Sequence, residues 1–280
     1  MKAAAFDFER PTQTADAVAL LSASAGMGKP VAGCQSLGPM MNMRLAQPEL
    51  LVDVRGIPEL LRCEDDADAV TLGAAVTHAA IEDGLVPDPT RGLLATVAAG
   101  IAYRAVRNRG TLGGSLAHAD PAADWINVMP LLDARYRVRG PAGLREVACN
   151  DWMLGTFTTA LAEDEILQSV HVARLSASAR WSYYKFNRKP GEFAEAIAGF
   201  VDDAERGVCR AVIGALDGPP HLIVHARPLL DELRSGGLGS LGRAELQEAG
   251  LAPGSYEYRV HAVALSRAAQ AVLAFQGDSA

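Results

Sequence analysis

The chain has 280 residues, 49% of them hydrophobic and 21% charged, with a formal net charge of −7. That length suggests two or three units of ordinary size, and the mixed charge excludes long disordered tracts. The acidic balance excludes a nucleic-acid footprint, because the one basic cluster, Arg104, Arg107 and Arg109, is too short to hold a polyanion.

No apolar run reaches the length of about eighteen residues that a membrane span needs. The first residues, Met1 to Asp7, turn acidic before a signal-peptide core can form, so the expected location is cytoplasmic. Cys34, Cys63, Cys149 and Cys209 are widely spaced, with no C-x-x-C. That argues against a zinc ribbon or an iron–sulfur centre within the chain. Four free thiols in a reducing compartment are expected.

The first unit, 1–55, reads as a small α/β fold. Thr14 is a plausible N-cap for a helix over Ala15–Ser24, ended by Gly26 and Gly28. Val31-Ala32 reads as a strand entering a glycine turn, and Leu50–Val54 as a second strand. The second unit, 56–175, holds a strand over Ala69–Ala75, polar surface from Ile81, and an alanine-rich helix over Arg91–Ala102. Asp120-Pro121 reads as a helix start, with Asp at the N-cap and the helix running through Leu132. Tyr136–Val138 and Leu144–Val147 form a hairpin, and Ile166–Val172 a further strand. The third unit, 176–280, has strands at Trp181–Phe186, Ala196–Val201 and Val208–Leu216. Helices follow at Pro228–Arg234 and Tyr258–Phe275. Three strands followed by helices suggest a sheet with helices on one face, and an α+β fold for the whole.

Two glycine-rich segments carry the chemistry. In Val31–Gly38 a strand enters a glycine turn followed by Gln35 and Ser36. Glycine permits positive φ and lets backbone N–H groups approach an anion. In Arg109–Leu116, Gly110, Gly113 and Gly114 lie among the hydroxyls of Thr111 and Ser115. Either segment alone is an ordinary glycine connection. Together they can grip a pyrophosphate from two sides. No G-x-G-x-x-G follows a strand, and Pro30 stands where a Walker A loop needs Ser or Thr. His78 and His118 are scattered and read as structural hydrogen-bonding groups. Arg107 and Arg109 read equally as phosphate-compensating or as structural residues.

The two segments resemble the loops of the FAD-carrying medium subunit of the molybdenum hydroxylases, typified by carbon monoxide dehydrogenase and by the flavin part of xanthine dehydrogenase. That family's first loop reads A-G-G-Q-S-L, against Ala32-Gly33-Cys34-Gln35-Ser36-Leu37. Its second reads V-R-N-R-G-T-x-G-G-x-L-A-H-A-D-P-A-A-x, where the x positions are Ile or Leu, Asn or Ser, and Asp or Glu. Val106 through Asp124 match it throughout. Arg44–Pro48, Thr159–Leu161, Glu165–Leu167 and Lys185–Lys189 extend the likeness over most of the chain.

The resemblance implies a PCMH-type FAD-binding fold: two α/β subdomains plus a C-terminal sheet-and-helix domain. It implies non-covalent FAD, with the pyrophosphate held by Ala32, Gly33, Cys34, Gln35, Ser36 and Leu37 and by Thr111, Leu112, Gly113, Gly114 and Ser115. It further places Asp124, Leu167, Lys185 and Phe193 near the cofactor. Cys34 stands where the family has glycine, and Phe193 where relatives often have tyrosine. The implied partners are an iron–sulfur small subunit with two 2Fe–2S clusters and a molybdopterin-containing large subunit. The implied role is electron transfer to an external acceptor. A stand-alone flavin oxidase and a degenerate structural partner that has lost FAD are the alternative readings.

Overall fold

A computed structural model describes residues 2–275 of the chain. The first unit contains β1 (Asp7–Glu9), α1 (Thr14–Ala23), β2 (Gly28–Val31), α2 (Leu37–Asn42) and β3 (Leu50–Asp53). Its parallel sheet has the order β1-β3-β2. Ala17, Val18 and Leu21 put one face of α1 into the core with Val52, Val54 and Ile57. Thr14 is the first helical residue, and Gln13 is the N-cap without a side-chain cap. The Thr14 hydroxyl is buried without a partner instead. Gly28 opens β2 rather than ending the helix.

The second unit continues with α3 (Pro58–Leu61), β4 (Cys63–Asp65), β5 (Ala69–Gly73), α4 (His78–Glu82), α5 (Leu93–Ala99), α6 (Arg104–Arg107) and α7 (Leu112–His118). Then come α8 (Asp124–Leu131), β6 (Arg135–Gly140), β7 (Gly143–Ala148), β8 (Met153–Gly155), β9 (Thr158–Thr159) and β10 (Ile166–Ala173). The expected hairpin is present, with Gly140 paired to Gly143. The return strand β10 lies antiparallel between β5 and β6, which gives the order β4-β5-β10-β6-β7.

Three expectations are corrected here. Ile81 is buried inside α4 and not part of a polar surface, because α4 packs on α5 over the core. The alanine-rich helix is shorter than expected: Arg91 and Gly92 take positive φ before it, and Gly100 caps it. The helix read from Asp120-Pro121 starts at Asp124. Asp120 accepts from Ala122 N–H at 2.9 Å and makes a turn rather than a cap.

The third unit has β11 (Arg180–Phe186), β12 (Ala196–Asp203), β13 (Val208–Gly214), β14 (His221–Ile223), α9 (Arg227–Arg234), α10 (Ser240–Glu248) and α11 (Tyr256–Ala274). The sheet is antiparallel in the order β11-β12-β13-β14, one strand wider than expected, and α10 is an additional helix. Every residue of β12 is buried, because the sheet is covered on both sides. Ala196, Ala198 and Phe200 face the core shared with α9, α10 and α11. Gly199 faces the other way, where an added Cβ would sit 3.1 Å from Leu131 of α8. The helix α8 is buried along its whole length and joins the third sheet to the central core. Burying each large apolar side chain there contributes roughly 1.5–3 kcal/mol. Among the described residues, no helix is long and apolar enough to cross a membrane.

Candidate functional site: a cavity between two glycine loops

A cavity of about 730 Å³ runs from the first glycine loop to β11. Every candidate from the sequence lines it except Leu112: Ala32 through Leu37, Thr111, Gly113, Gly114, Ser115, Asp124, Leu167, Lys185 and Phe193. Leu112 is fully buried and packs into the central core from behind the loop. Its position is therefore corrected from the cavity wall to the wall's support.

The two loops work differently. In the first, the backbone N–H groups of Gly33, Cys34, Gln35, Ser36 and Leu37 find no protein acceptor among the described residues. They end on the first turn of α2, with the loop braced by Gln35 Nε2 donating to Gly33 O at 2.8 Å. A run of unpaired N–H groups on a cavity wall suits an anion. The second segment is not a loop but the start of α7. Thr111 is its N-cap, and its Oγ1 accepts from Gly114 N–H at 3.0 Å. The Leu112 and Gly113 N–H groups donate to Val76 O and Ala74 O. These donors are already engaged, which leaves the Ser115 hydroxyl and the close backbone as what this side offers.

The glycines serve close approach and not positive φ. A Cβ on Gly33 would lie 2.1 Å from Arg109 O, so only glycine lets the two segments touch. A Cβ on Gly113 would lie 2.4 Å from Ala74 Cβ. The left-handed conformation falls on Cys34, with φ of 59°. Its thiol packs with Val31, Met41 and Leu51.

At the opposite end, Asp124 is the first residue of α8 and Lys185 projects from β11. Lys185 Nζ donates to Asp124 Oδ2 at 2.8 Å and to Gly100 O at 3.2 Å. The Tyr183 hydroxyl donates to Asp124 Oδ1 at 3.0 Å. Burial raises the Asp124 carboxyl above the usual carboxylate range, and Lys185 and Tyr183 offset only part of that rise. Lys185 is thus a buried ion-pair partner and not a surface lysine. Phe193 reaches the cavity but is 60% exposed. Arg104 and Arg107 are held by Glu82 and Asp83, so their charge is spent on α4 rather than on the cavity.

Sequence reasoning missed Ile101, Ala102 and Val106, which form an apolar stretch of the wall, and the segment Phe157–Thr159 at its rim. Periodicity gives no signal for them, since Ile101, Ala102 and Phe157 sit in short connections, Val106 in the four-residue α6, and Thr158 and Thr159 in the two-residue β9. His78 and His118 also line the cavity.

The α+β architecture and this cavity define a nucleotide-binding protein with room for an extended dinucleotide. Residues 4–174 match the FAD binding domain in molybdopterin dehydrogenase. The chain is 35% identical over 265 residues to the nicotine 6-hydroxylase medium subunit of Paenarthrobacter nicotinovorans, covering 93% of this chain and 91% of that protein. It is 36% identical over 200 residues to the carbon monoxide dehydrogenase medium chain of Hydrogenophaga pseudoflava, covering 70% and 68%. The fold superposes on carbon monoxide dehydrogenase from the same organism with a TM-score of 0.84 at 28% identity, over 98% of this chain and 99% of that one. Quinoline 2-oxidoreductase from Pseudomonas putida 86 gives a TM-score of 0.83 at 28% identity, with the same coverage.

The chain belongs to the family of FAD-binding medium subunits of the molybdenum hydroxylases, has their PCMH-type fold, and is an oxidoreductase subunit whose cofactor is FAD.

Proposed function

We propose that the chain is the electron-transfer flavoprotein subunit of a molybdenum-containing hydroxylase or dehydrogenase. In this reading it takes electrons from two 2Fe–2S clusters on a small subunit, which draws them from a molybdopterin-containing large subunit, and delivers them to an external acceptor in the cytoplasm. Flavin, when bound, supplies the redox chemistry that links such carriers.

The observation that carries the reading is one cavity with an anion-receiving wall at one end and a buried ion pair at the other. The N–H groups from Gly33 to Leu37 would take the pyrophosphate, with Ala32 shaping the strand exit. Thr111, Gly113, Gly114 and Ser115 would close the other side, with Leu112 as anchor. Leu167, Asp124, Lys185 and Phe193 would border the flavin ring. The cofactor would lie between units 1–55 and 56–175, with its ring toward unit 176–280. The Asp124 carboxylate on that part of the wall is already engaged by Lys185 and Tyr183, so it is not free to move a substrate proton.

Affinity purification of the chain from its native host, followed by metal and flavin analysis, tests this. Iron, molybdenum and FAD should co-purify in a fixed ratio. A chain purified without iron or molybdenum that turns over a small substrate in air would overturn the reading.

A further inference from the structure

His78 opens α4 and is 5% exposed. One of its nitrogens is committed, since Trp125 Nε1 donates to His78 Nδ1 at 3.0 Å in the core. An indole N–H can only donate, so Nδ1 carries the lone pair and a neutral ring bears its proton on Nε2. The ring is neutral in the folded protein, because burial, assisted by the charge of Arg107, lowers its pKa to about 4.

The Nε2 edge is not sealed in the core. His78 lines the cavity, and Nε2 makes no hydrogen bond to protein among the described residues. Among the described residues, the buried side-chain atoms left without a partner are Thr14 Oγ1, Asn127 Oδ1 and Tyr136 OH, and His78 Nε2 is not one of them. This edge faces Gly110, where an added Cβ would stand 2.8 Å from Nε2. Gly110 in turn meets Gly33, so the edge lies where the two glycine segments touch.

We propose that His78 is a cofactor-positioning residue whose Nε2–H donates a hydrogen bond to an oxygen of FAD where the two glycine segments meet. The claim rests on the reading that this cavity holds FAD. Its chemical sense is a donor of fixed tautomer that carries no charge. Trp125 sets the tautomer from the core, so the donor does not rotate away or exchange its proton site.

Two substitutions separate the nitrogens. His78→Asn places an oxygen near the Nδ1 position, keeps an acceptor for Trp125 and removes the cavity donor. His78→Gln places an N–H near the Nε2 position and gives up the Trp125 contact. FAD affinity of the full chain, freed of cofactor and titrated by flavin fluorescence, should fall about tenfold in His78→Asn. In His78→Gln it should stay within about threefold of wild type while the melting temperature drops. Wild-type affinity in His78→Asn, or equal loss in both variants in step with their stability, would overturn the assignment.

Nitrogen-15 histidine spectra of the wild-type full chain decide the matter if a variant does not fold. Adding FAD should move the His78 Nε2 resonance while leaving Nδ1 unprotonated, and an unmoved Nε2 would overturn the assignment. A wild-type chain that binds no FAD would instead defeat the cavity reading itself.

Discussion

The Lys185 ammonium stands 2.8 Å from Asp124 Oδ2, so one buried ion pair ties β11 of the third sheet to the first turn of α8. Neither charge has a cheap alternative, since Lys185 is 12% exposed and Asp124 5%. Removing one partner of such a pair costs about 3–5 kcal/mol, whereas removing both can cost much less. Lys185→Met should therefore destabilise the chain by about that amount, and Lys185→Met with Asp124→Asn should recover most of it. Chemical unfolding of the single and double variants gives the coupling. Additive losses would show that the pair does not act as a unit.

Glycines on the cavity wall should rank by what their missing Cβ would strike. Gly33→Ala drives a methyl into the Arg109 carbonyl, and Gly113→Ala drives one into Ala74. Both neighbours are held by backbone, so both variants should lose most of their flavin. Gly114→Ala crowds the Thr111 hydroxyl at 2.8 Å and makes an ordinary contact with Ala32 Cβ at 3.8 Å, which costs the α7 cap and about 1 kcal/mol. Flavin-to-protein ratios after purification test the ranking. A Gly33→Ala protein with full flavin would contradict the contact between the two segments.

Cys34 makes the opposite case. It holds a left-handed φ that costs an L-residue about 1 kcal/mol or more, and a β-branched residue considerably more. Cys34→Gly should leave flavin content equal or higher and change stability by less than about 1 kcal/mol, because relief of strain offsets lost packing and added chain freedom. Cys34→Val should lower both. Equal flavin content and stability in the two variants would mean that φ at this position does not matter.

Much of this arrangement was legible in the chain, for reasons that differ from residue to residue. Gly33 and Gly113 stand out because nothing larger fits, although the reason is contact and not positive φ. The helix α7 was hidden, because Gly113 and Gly114 lower helix propensity and read as a loop. Tertiary contact outweighs that: Thr111 caps the helix, and Gly113 N–H is anchored on Ala74 O. The helix α10 was hidden in the same way, behind Gly236, Gly237 and Gly239 and with Gly242 inside it. Glu232 stabilises its start from another helix by accepting from Leu241 and Gly242 N–H, a contact ten residues or so away that no local window captures. The pairings of Lys185 with Asp124 and of His78 with Trp125 are likewise long-range.

His78 should leave a mark on the acid stability of the chain. Its pKa falls from an ordinary 6.5 to about 4 on folding, so the unfolded chain takes up a proton that the folded chain refuses. Stability from this source is complete above about pH 6.5, is lost as the pH falls toward 4, and changes no further below that. Between pH 7 and pH 5 the loss is about 2 kcal/mol. Denaturant unfolding at the two pH values should show a loss about 2 kcal/mol smaller in His78→Asn than in wild type. Parallel pH profiles would show that His78 titrates freely.

The last expectation concerns the cavity mouth. Phe193, which lines the cavity, is 60% exposed, and Tyr103, which packs beneath the cavity-lining Gly191, is 63% exposed. Gly191 takes a positive φ and would place a Cβ 2.8 Å from the Tyr103 ring, so the 187–195 loop rests directly on that aromatic. Lys185 is not part of this outer surface, because its charge is buried against Asp124. Electrons supplied from a cluster on another chain need a short path to the flavin edge. In the proposed complex, the ring-bearing face around Tyr103 and residues 188–193 should therefore be covered. A permanent complex would bury on the order of 2,000 Å² or more in total. Hydrogen-exchange mass spectrometry of the isolated chain and of the native complex should show protection of 188–193 on assembly. Oxidative footprinting should show Tyr103 and Phe193 losing reactivity together. Unchanged exchange and reactivity at this face, in a complex that still carries iron and molybdenum, would move the electron entry point to another side of the cavity.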